Sequence, residues 1–178
     1  MKNYPDIQFA VLNGRPTVNR HLRRFGDQCA NFRVVPGAPT WEGIFAVRNE
    51  IMAWFVEETN LPCLVVLDDD IVLDGRSAAF LDSTADVTGP RVVGATDGRE
   101  VHPGDLSGAA FKLSRRAAHL LQGCWKVPRK GNCGCHSLFV MSKRLGLAVS
   151  KAGMVGHRIP MTAWPDGPAQ FDAEVKIS

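Results

Sequence analysis

The chain has 178 residues, of which 45% are hydrophobic and 22% are charged. This length is enough for one domain with a sizeable core, and this composition excludes an intrinsically disordered chain. The net charge of +3 is too small to identify a nucleic-acid partner, and no apolar stretch approaches the length of a membrane span.

Strands and helices are predicted to alternate along the chain. The predicted strands are short apolar runs, and the clearest predicted helix has apolar residues at three- and four-residue steps, beginning at Trp41. The predicted strands cover residues 7–12, 32–35, 63–67, 86–93, 109–113 and 154–159. The predicted helices cover residues 17–30, 41–59, 115–122 and 136–149, with Thr17 and Ser114 as N-caps and Gly123 as a stop signal.

This alternation, with strands that lack a two-residue polar pattern, predicts an α/β domain with a mostly parallel central sheet flanked by helices. In such sheets ligands bind beyond the carboxyl ends of the strands. The prediction therefore directs attention to residues 13–16, after the first strand, and to residues 68–70, after the third.

The most informative stretch is Asp68-Asp69-Asp70, which follows an apolar strand directly. Three adjacent carboxylates repel one another, and a divalent cation with oxygen ligands would compensate that repulsion. In an extended segment Asp68 and Asp70 point to one side and Asp69 to the other. The pattern predicts Asp68 and Asp70 as metal or ribose contacts, and a solvated acidic turn is the alternative.

Arg48 falls on the apolar stripe of the predicted helix that starts at Trp41. An arginine on a core-facing side usually has an anionic partner. That partner is predicted to be Asp68, Asp70 or a phosphate group, unless the aliphatic stem simply carries the guanidinium out to solvent.

These segments together resemble the GT-A class of glycosyltransferases, in which an apolar strand ends in an Asp-X-Asp motif. Three other segments occur in the matching order. They are residues 45–50 (Phe-Ala-Val-Arg-Asn-Glu), residues 108–116 (Gly-Ala-Ala-Phe-Lys-Leu-Ser-Arg-Arg) and residues 151–158 (Lys-Ala-Gly-Met-Val-Gly-His-Arg).

The resemblance implies one Rossmann-like GT-A domain, with a nucleotide-sugar half at about residues 1–75 and an acceptor half at about residues 76–165. It implies transfer of a sugar from a nucleoside diphosphate sugar, with a UDP-sugar favoured, and dependence on Mn²⁺ or Mg²⁺. The implied metal ligands are Asp68, Asp70 and His157. The implied nucleotide contacts are Asn13, Gly14, Arg15, Arg48, Asn49, Asp68 and Asp69.

The segment before the last predicted helix departs from this family. Inverting members usually carry a carboxylate there as the general base for the acceptor, and residues 131–138 contain none. His136 could act as the base because the ordinary pKa of imidazole is near neutral. The other candidates are Asp97, Glu100 and Asp105, and a retaining mechanism, which needs no such base, also remains open.

The acceptor is not identified by the sequence. Six basic residues fall in the predicted acceptor half, so modified bases in DNA are one candidate acceptor and a solvated basic face is the alternative. The six are Lys112, Arg115, Arg116, Lys126, Arg129 and Lys130.

Two other functions remain open. The triplet also fits the nucleophile motif of haloacid-dehalogenase-like phosphatases, with Asp68 as nucleophile and Asp70 as acid, although that class normally begins with this strand. A non-catalytic nucleotide-sugar-binding module is the second alternative.

The five cysteines are an odd number, and no apolar signal-peptide core follows Met1. Both observations predict a cytoplasmic protein with free thiols. Cys124, Cys133, Cys135 and His136 could suggest zinc, but their spacing departs from structural zinc signatures, and buried thiols are the favoured interpretation.

Overall fold

A computed structural model describes residues 3–14, 20–38, 40–94, 98–100, 106–126 and 134–157. This part of the chain forms one seven-stranded sheet with helices on both faces. The strands are β1 (Ile7–Asn13), β2 (Phe32–Pro36), β3 (Cys63–Asp68), β4 (Ile71–Val72), β5 (Val87–Gly94), β6 (Ala110–Ser114) and β7 (Val149–His157). The helices are α1 (Arg20–Gly26), α2 (Trp41–Glu58), α3 (Ala78–Asp82), α4 (Arg115–Leu120) and α5 (Gly134–Arg144), with a 3₁₀ turn at Gly75–Ser77.

The sheet has the strand order β2-β1-β3-β6-β5-β7-β4. It is mixed rather than mostly parallel. The pairs β1–β2, β1–β3 and β5–β7 are parallel, whereas β6 runs antiparallel to both β3 and β5, and β4 runs antiparallel to β7. The carboxyl ends of β1, β3, β5 and β7 therefore meet the start of β6 at one edge of the sheet.

The central strands are buried on both faces, which explains why they are apolar without alternation. Alternate residues of β1 belong to two cores: Ala10 and Leu12 contact one, and Phe9 and Val11 contact the other. The first core lies under α2, α4 and α5, and the second under α1 and α3. The α/β class with a central sheet between helices is confirmed.

The helix α2 begins where its sequence signals predict. Thr40 is the N-cap, and its Oγ1 accepts a hydrogen bond from the backbone N–H of Gly43 at 3.1 Å. The buried residues Phe45, Arg48, Ile51, Met52 and Phe55 recur at helical spacing. This face orients Arg48 toward the sheet, as the apolar stripe predicts.

Two predicted boundaries were wrong near the carboxyl end of the described chain. The helix predicted for residues 136–149 ends at Arg144, because Gly146 adopts a left-handed conformation (φ 65°). The last strand begins at Val149, five residues before the prediction, and the predicted strand end at residue 159 lies outside the described residues. The short elements β4 and α3 were not predicted, and the predicted cap Thr17 also lies outside the described residues.

Candidate active site at the carboxyl edge of the sheet

The acidic triplet lies where β3 leaves the sheet. The strand ends at Asp68, and Asp69 and Asp70 form a turn that leads into β4. Because the extended segment stops at Asp68, the predicted alternation of the three side chains does not apply. Each carboxylate instead contacts a different element: α2, the end of β1, or the end of β7.

Asp68 forms an ion pair with Arg48 of α2. Nη2 of Arg48 lies 2.9 Å from Oδ1 and 3.2 Å from Oδ2 of Asp68, and the arginine side chain is only 4% exposed. Burial raises the pKa of Asp68, the Arg48 guanidinium opposes that rise, and the nearby Asp70 carboxylate adds to it. The guanidinium also lies over the ring of Trp125, with Cζ 4.8 Å from the centroid.

Asp69 connects the acidic turn to the end of β1. Its Oδ2 accepts a hydrogen bond from the backbone N–H of Gly14 at 3.1 Å. Asn13, the last residue of β1, accepts a backbone hydrogen bond from Gly37 at 2.7 Å. A Cβ at Gly37 would lie 3.0 Å from Cα of Gly14, so a larger residue at position 37 would require the backbone at Gly14 to shift by a few tenths of an ångström. Of the predicted nucleotide contacts in this loop, Arg15 lies outside the described residues.

Asp70 and His157 form a buried pair between β3 and β7. Nε2 of His157 lies 3.2 Å from Oδ2 of Asp70, and each side chain is 3% exposed. His157 is the last residue of β7 and is the register partner of Ile71 in β4. The two residues are 87 positions apart in the sequence, and the pairing of β4 with β7 brings them into contact.

The donor set at this edge suits a hard or borderline divalent cation. Carboxylate oxygens bind Mg²⁺ and Mn²⁺, and a neutral imidazole favours Mn²⁺. Within the described residues, no three side chains of His, Cys, Asp and Glu are arranged to hold a metal ion by themselves. Asp70 and His157 would therefore supply part of a coordination shell, and phosphate oxygens and water the rest.

Asn49, a predicted nucleotide contact, hydrogen-bonds the backbone of Trp125. Its Nδ2 donates to the carbonyl of Trp125 at 2.9 Å, and its Oδ1 accepts from the N–H of Trp125 at 3.2 Å. Phe45 and Phe111 lie against the ring of Trp125, with centroids 5.8 and 5.3 Å away. Asn49 thus fixes an aromatic residue beside Arg48, and its contact with a nucleotide stays a prediction.

Replacement of Asn49 by alanine is expected to lower the free energy of unfolding by about 1–3 kcal/mol. The substitution leaves the buried N–H and carbonyl of Trp125 without the two bonds that Asn49 makes. Urea denaturation measures the loss. Exposed Glu50, the next residue of α2, provides the control, because Glu50→Ala should change the free energy by at most about 0.5 kcal/mol. Equal stability of the two variants would contradict this role of Asn49.

Two of the four predicted general bases, Glu100 and His136, lie within the described residues. Glu100 forms ion pairs with Lys151 at 2.9 Å and Arg91 at 3.4 Å, and the hydrogen bond from Lys151 holds the pKa of Glu100 below its usual range. A carboxylate held ionised in this way is a weak base. His136 lies exposed in the first turn of α5, and Asp97 and Asp105 lie outside the described residues.

The first turn of α5 reaches the site through Cys135 rather than through His136. Sγ of Cys135 accepts a hydrogen bond from the N–H of Gly108 at 3.0 Å. A Cβ at position 108 would lie 3.0 Å from Nη1 of Arg48 and 3.1 Å from Sγ of Cys135. The sequence singles out Gly108 only as one residue of a small-residue segment, because close approach from two other elements leaves no local signal.

The zinc interpretation finds no support in the described residues. Burial raises the pKa of Cys124 to about 12, which keeps that thiol protonated, and Cys133 lies outside the described residues. Cys124 belongs to the first core, as expected for a buried thiol that fills space.

The predicted basic acceptor face is wrong for two of its members. Lys112 is 5% exposed, and its ammonium donates to the carbonyls of Leu81 and Ser83. The guanidinium of Arg115 donates to carbonyls at the end of α2, including that of Val56 at 2.6 Å. Both cations bind backbone at the ends of helices. Arg116 and Lys126 are exposed, and Arg129 and Lys130 lie outside the described residues.

The fold is similar to that of several solved glycosyltransferases. A mutant of Drosophila β1,4-galactosyltransferase 7, solved with manganese, UDP-Gal and xylobiose, matches with a TM-score of 0.57 at 16% identity, over 82% of this chain and 64% of that one. A glycosyltransferase involved in glycosylation of the major capsid of the virus PBCV-1 matches with a TM-score of 0.56 at 10% identity, over 86% and 95% of the two chains.

Glucosyl-3-phosphoglycerate synthase from Mycobacterium tuberculosis, solved with Mn²⁺, UDP and phosphoglyceric acid, matches with a TM-score of 0.51 at 13% identity, over 86% of this chain and 71% of that one. No protein-family model matches the chain, and neither does any curated protein. At these identities the likeness establishes the fold expected from the resemblance and leaves the activity to the site. Among the described helices, none has both the length and the apolar character needed to cross a bilayer.

Proposed function

We propose that the protein is a metal-dependent glycosyltransferase that transfers a sugar from a nucleoside diphosphate sugar, with a UDP-sugar favoured. The observation that carries the proposal is the meeting of Asp68, Asp69 and Asp70 with the ends of β1 and β7 at one edge of the sheet. That edge is where ligands bind in open α/β sheets. The fold likeness to enzymes solved with UDP or UDP-Gal and manganese supports the same assignment.

In this proposal Asp70 and His157 would hold Mn²⁺, with Mg²⁺ as the alternative, and Asp68, which is paired with Arg48, stays a proposed third ligand. Their buried carboxylate and imidazole fit the cation in chemistry, although they do not complete its shell. When bound, the cation supplies Lewis-acid stabilisation of the diphosphate leaving group as the sugar–phosphate bond breaks. Asn13, Gly14 and Arg15 seat the base and ribose, with Asp69 holding the Gly14 backbone in place.

The Arg48–Asp68 pair is proposed to orient groups of the donor rather than to carry a proton. The ion pair is held by a side chain of α2 that is almost fully buried, so its geometry changes little when a substrate binds. Pre-positioned charges of this kind stabilise a transition state without reorganisation at the moment of reaction. The general base is proposed to come from His136 or from Asp97, Asp105 or Glu100, of which Glu100 is disfavoured by its two ion pairs.

The acceptor remains open, and DNA is a weaker candidate than the sequence suggests, because Lys112 and Arg115 bind backbone carbonyls. The phosphatase alternative is disfavoured because two strands and two helices precede β3, the strand that leads into the acidic turn. A binding module without activity remains an outcome of the following test.

A screen of nucleotide sugars for Mn²⁺-dependent hydrolysis, together with calorimetry of UDP binding, tests the proposal. Replacement of Asp70 by alanine should reduce both metal-dependent binding and hydrolysis at least about 100-fold, since even residues that only support a metal ligand are worth 10–100-fold. The exposed Asp27 provides the control, and Asp27→Ala should leave both unchanged.

Circular dichroism of the Asp70→Ala variant separates loss of the site from loss of the fold. Hydrolysis that survives in a folded Asp70→Ala variant would contradict the role of this carboxylate. UDP binding by the parent without any hydrolysis would identify a binding module, and no binding with or without Mn²⁺ would refute the proposal.

A further inference from the structure

Trp41 is a large apolar side chain exposed at the edge of the sheet that holds the acidic turn. It is the first residue of α2, and 44% of its surface is accessible. Burial of an indole ring stabilises a fold strongly, so a ring left exposed beside a candidate site is a candidate contact for a ligand.

The first turn of α2 lies close to the end of β1. Gly37 contacts Gly14, as described above. The next residue, Ala38, packs against Gly43 in the first turn of α2, and a Cβ added to Gly43 would lie 2.4 Å from the Cβ of Ala38. One short loop therefore separates Gly14, a proposed nucleotide contact, from the turn that carries Trp41.

The ring of Trp41 lies on the same face of α2 as Arg48. Its centroid is 6.1 Å from that of Phe45, and Phe45 in turn stacks on Trp125 with an interplanar angle of 21°. Positions 41, 45 and 48 share one helical face, and seven residues of helix rise about 10 Å. Trp41 is thus the exposed end of an aromatic stack whose buried end adjoins the Arg48–Asp68 pair.

We infer that the exposed face of Trp41 stacks on the base of the bound nucleotide, an inference that rests on the proposed function. The phosphates of a nucleoside diphosphate are proposed to lie near Asp70, and the adjacent Asp69 holds the backbone of Gly14. The base of the nucleotide then extends past Gly14 toward the first turn of α2. The indole offers a π-face supported from behind by Phe45, so little ordering is needed when the base binds.

Calorimetry with UDP and with inorganic pyrophosphate, each with Mn²⁺, tests this inference. Trp41→Ala should weaken UDP binding about 10-fold or more, the usual effect of removing one base–aromatic stack. It should leave pyrophosphate binding unchanged, because pyrophosphate has no base. Trp41→Phe, which keeps a ring, should retain most of the affinity for UDP.

Leu120 provides the matched control, since it is an apolar side chain with similar exposure (41%) on α4. Leu120→Ala should bind both ligands like the parent. Equal UDP affinity in the parent and Trp41→Ala would overturn this inference alone, as would a parent that binds pyrophosphate as tightly as UDP. Failure of the parent to bind UDP at all would overturn the proposed function together with it.

Discussion

Replacement of Arg48 by methionine is expected to lower the free energy of unfolding by about 3 kcal/mol at neutral pH, in the absence of metal. Methionine preserves most of the apolar stem but leaves Asp68 beside Asp70 without its compensating charge. Removing one partner of a buried ion pair typically costs about 3–5 kcal/mol, and the 24% exposure of Asp68 reduces that figure. Denaturation in urea with EDTA measures the effect.

A matched control exists in the same chain, because Arg76 forms an ion pair with Asp74 at 2.6 Å while 59% of its side chain is exposed. Arg76→Met should cost at most about 1 kcal/mol, as surface ion pairs do. The double variant Arg48→Met/Asp68→Asn should recover most of the loss, since it removes the buried charge along with its partner. A similar effect of the two arginine substitutions would show that Arg48 is not required to compensate a buried charge.

The loss in free energy of unfolding caused by Arg48→Met should also depend on pH, and it should be smaller at acid pH. Burial already holds the pKa of Asp68 above its ordinary value, and loss of the guanidinium raises it further. A carboxyl group whose pKa is higher in the folded than in the unfolded state contributes its full stabilisation of the fold below the unfolded-state pKa. That stabilisation is lost as pH rises through the folded-state pKa. The difference in free energy of unfolding between Arg48→Met and the parent should therefore decrease as pH falls toward about 4.

The sequence predicts the central strands and α2 well because their signals are local and agree with one another. Most residues of β1 and β3 are apolar, with Gln8 as a buried polar exception, and α2 has a regular apolar face. The position of Asp68 at the end of β3 follows directly from the length of the apolar run. These features need no knowledge of which strands become neighbours.

The partners of the three aspartates could not be predicted in this way, because they depend on the order and direction of the strands. Asp70 contacts His157 only because β4 pairs with the end of β7. Asp69 contacts Gly14 only because β1 is the neighbour of β3. Likewise, nothing local in β6 signals that it runs antiparallel between β3 and β5. The residue types of the site could be predicted from the sequence, and their pairings could not.

Replacement of Gly153 by alanine is expected to lower the free energy of unfolding by about 2–5 kcal/mol. Gly153 lies within β7 with φ at 68°, a left-handed conformation that costs other residues about 1–2 kcal/mol. Its position also has no space for a side chain, since a Cβ would lie 2.6 Å from the backbone nitrogen of Phe80 and 3.2 Å from the carbonyl oxygen of Arg76. Both are backbone atoms, so relief requires α3 to move away from β7.

A comparison with Gly146 separates the conformational cost from the steric cost, because Gly146 has a similar φ of 65° but no neighbour within 4 Å of its Cβ position. Gly146→Ala should cost only the conformational part, about 1–2 kcal/mol, and the difference between the two variants measures the steric part. Equal losses in free energy of unfolding for the two variants would show that α3 can move away from β7 without destabilising the fold. Because β7 continues from Gly153 to His157, a displacement of this strand should also weaken Mn²⁺-dependent UDP binding in Gly153→Ala, whereas Gly146→Ala should bind like the parent.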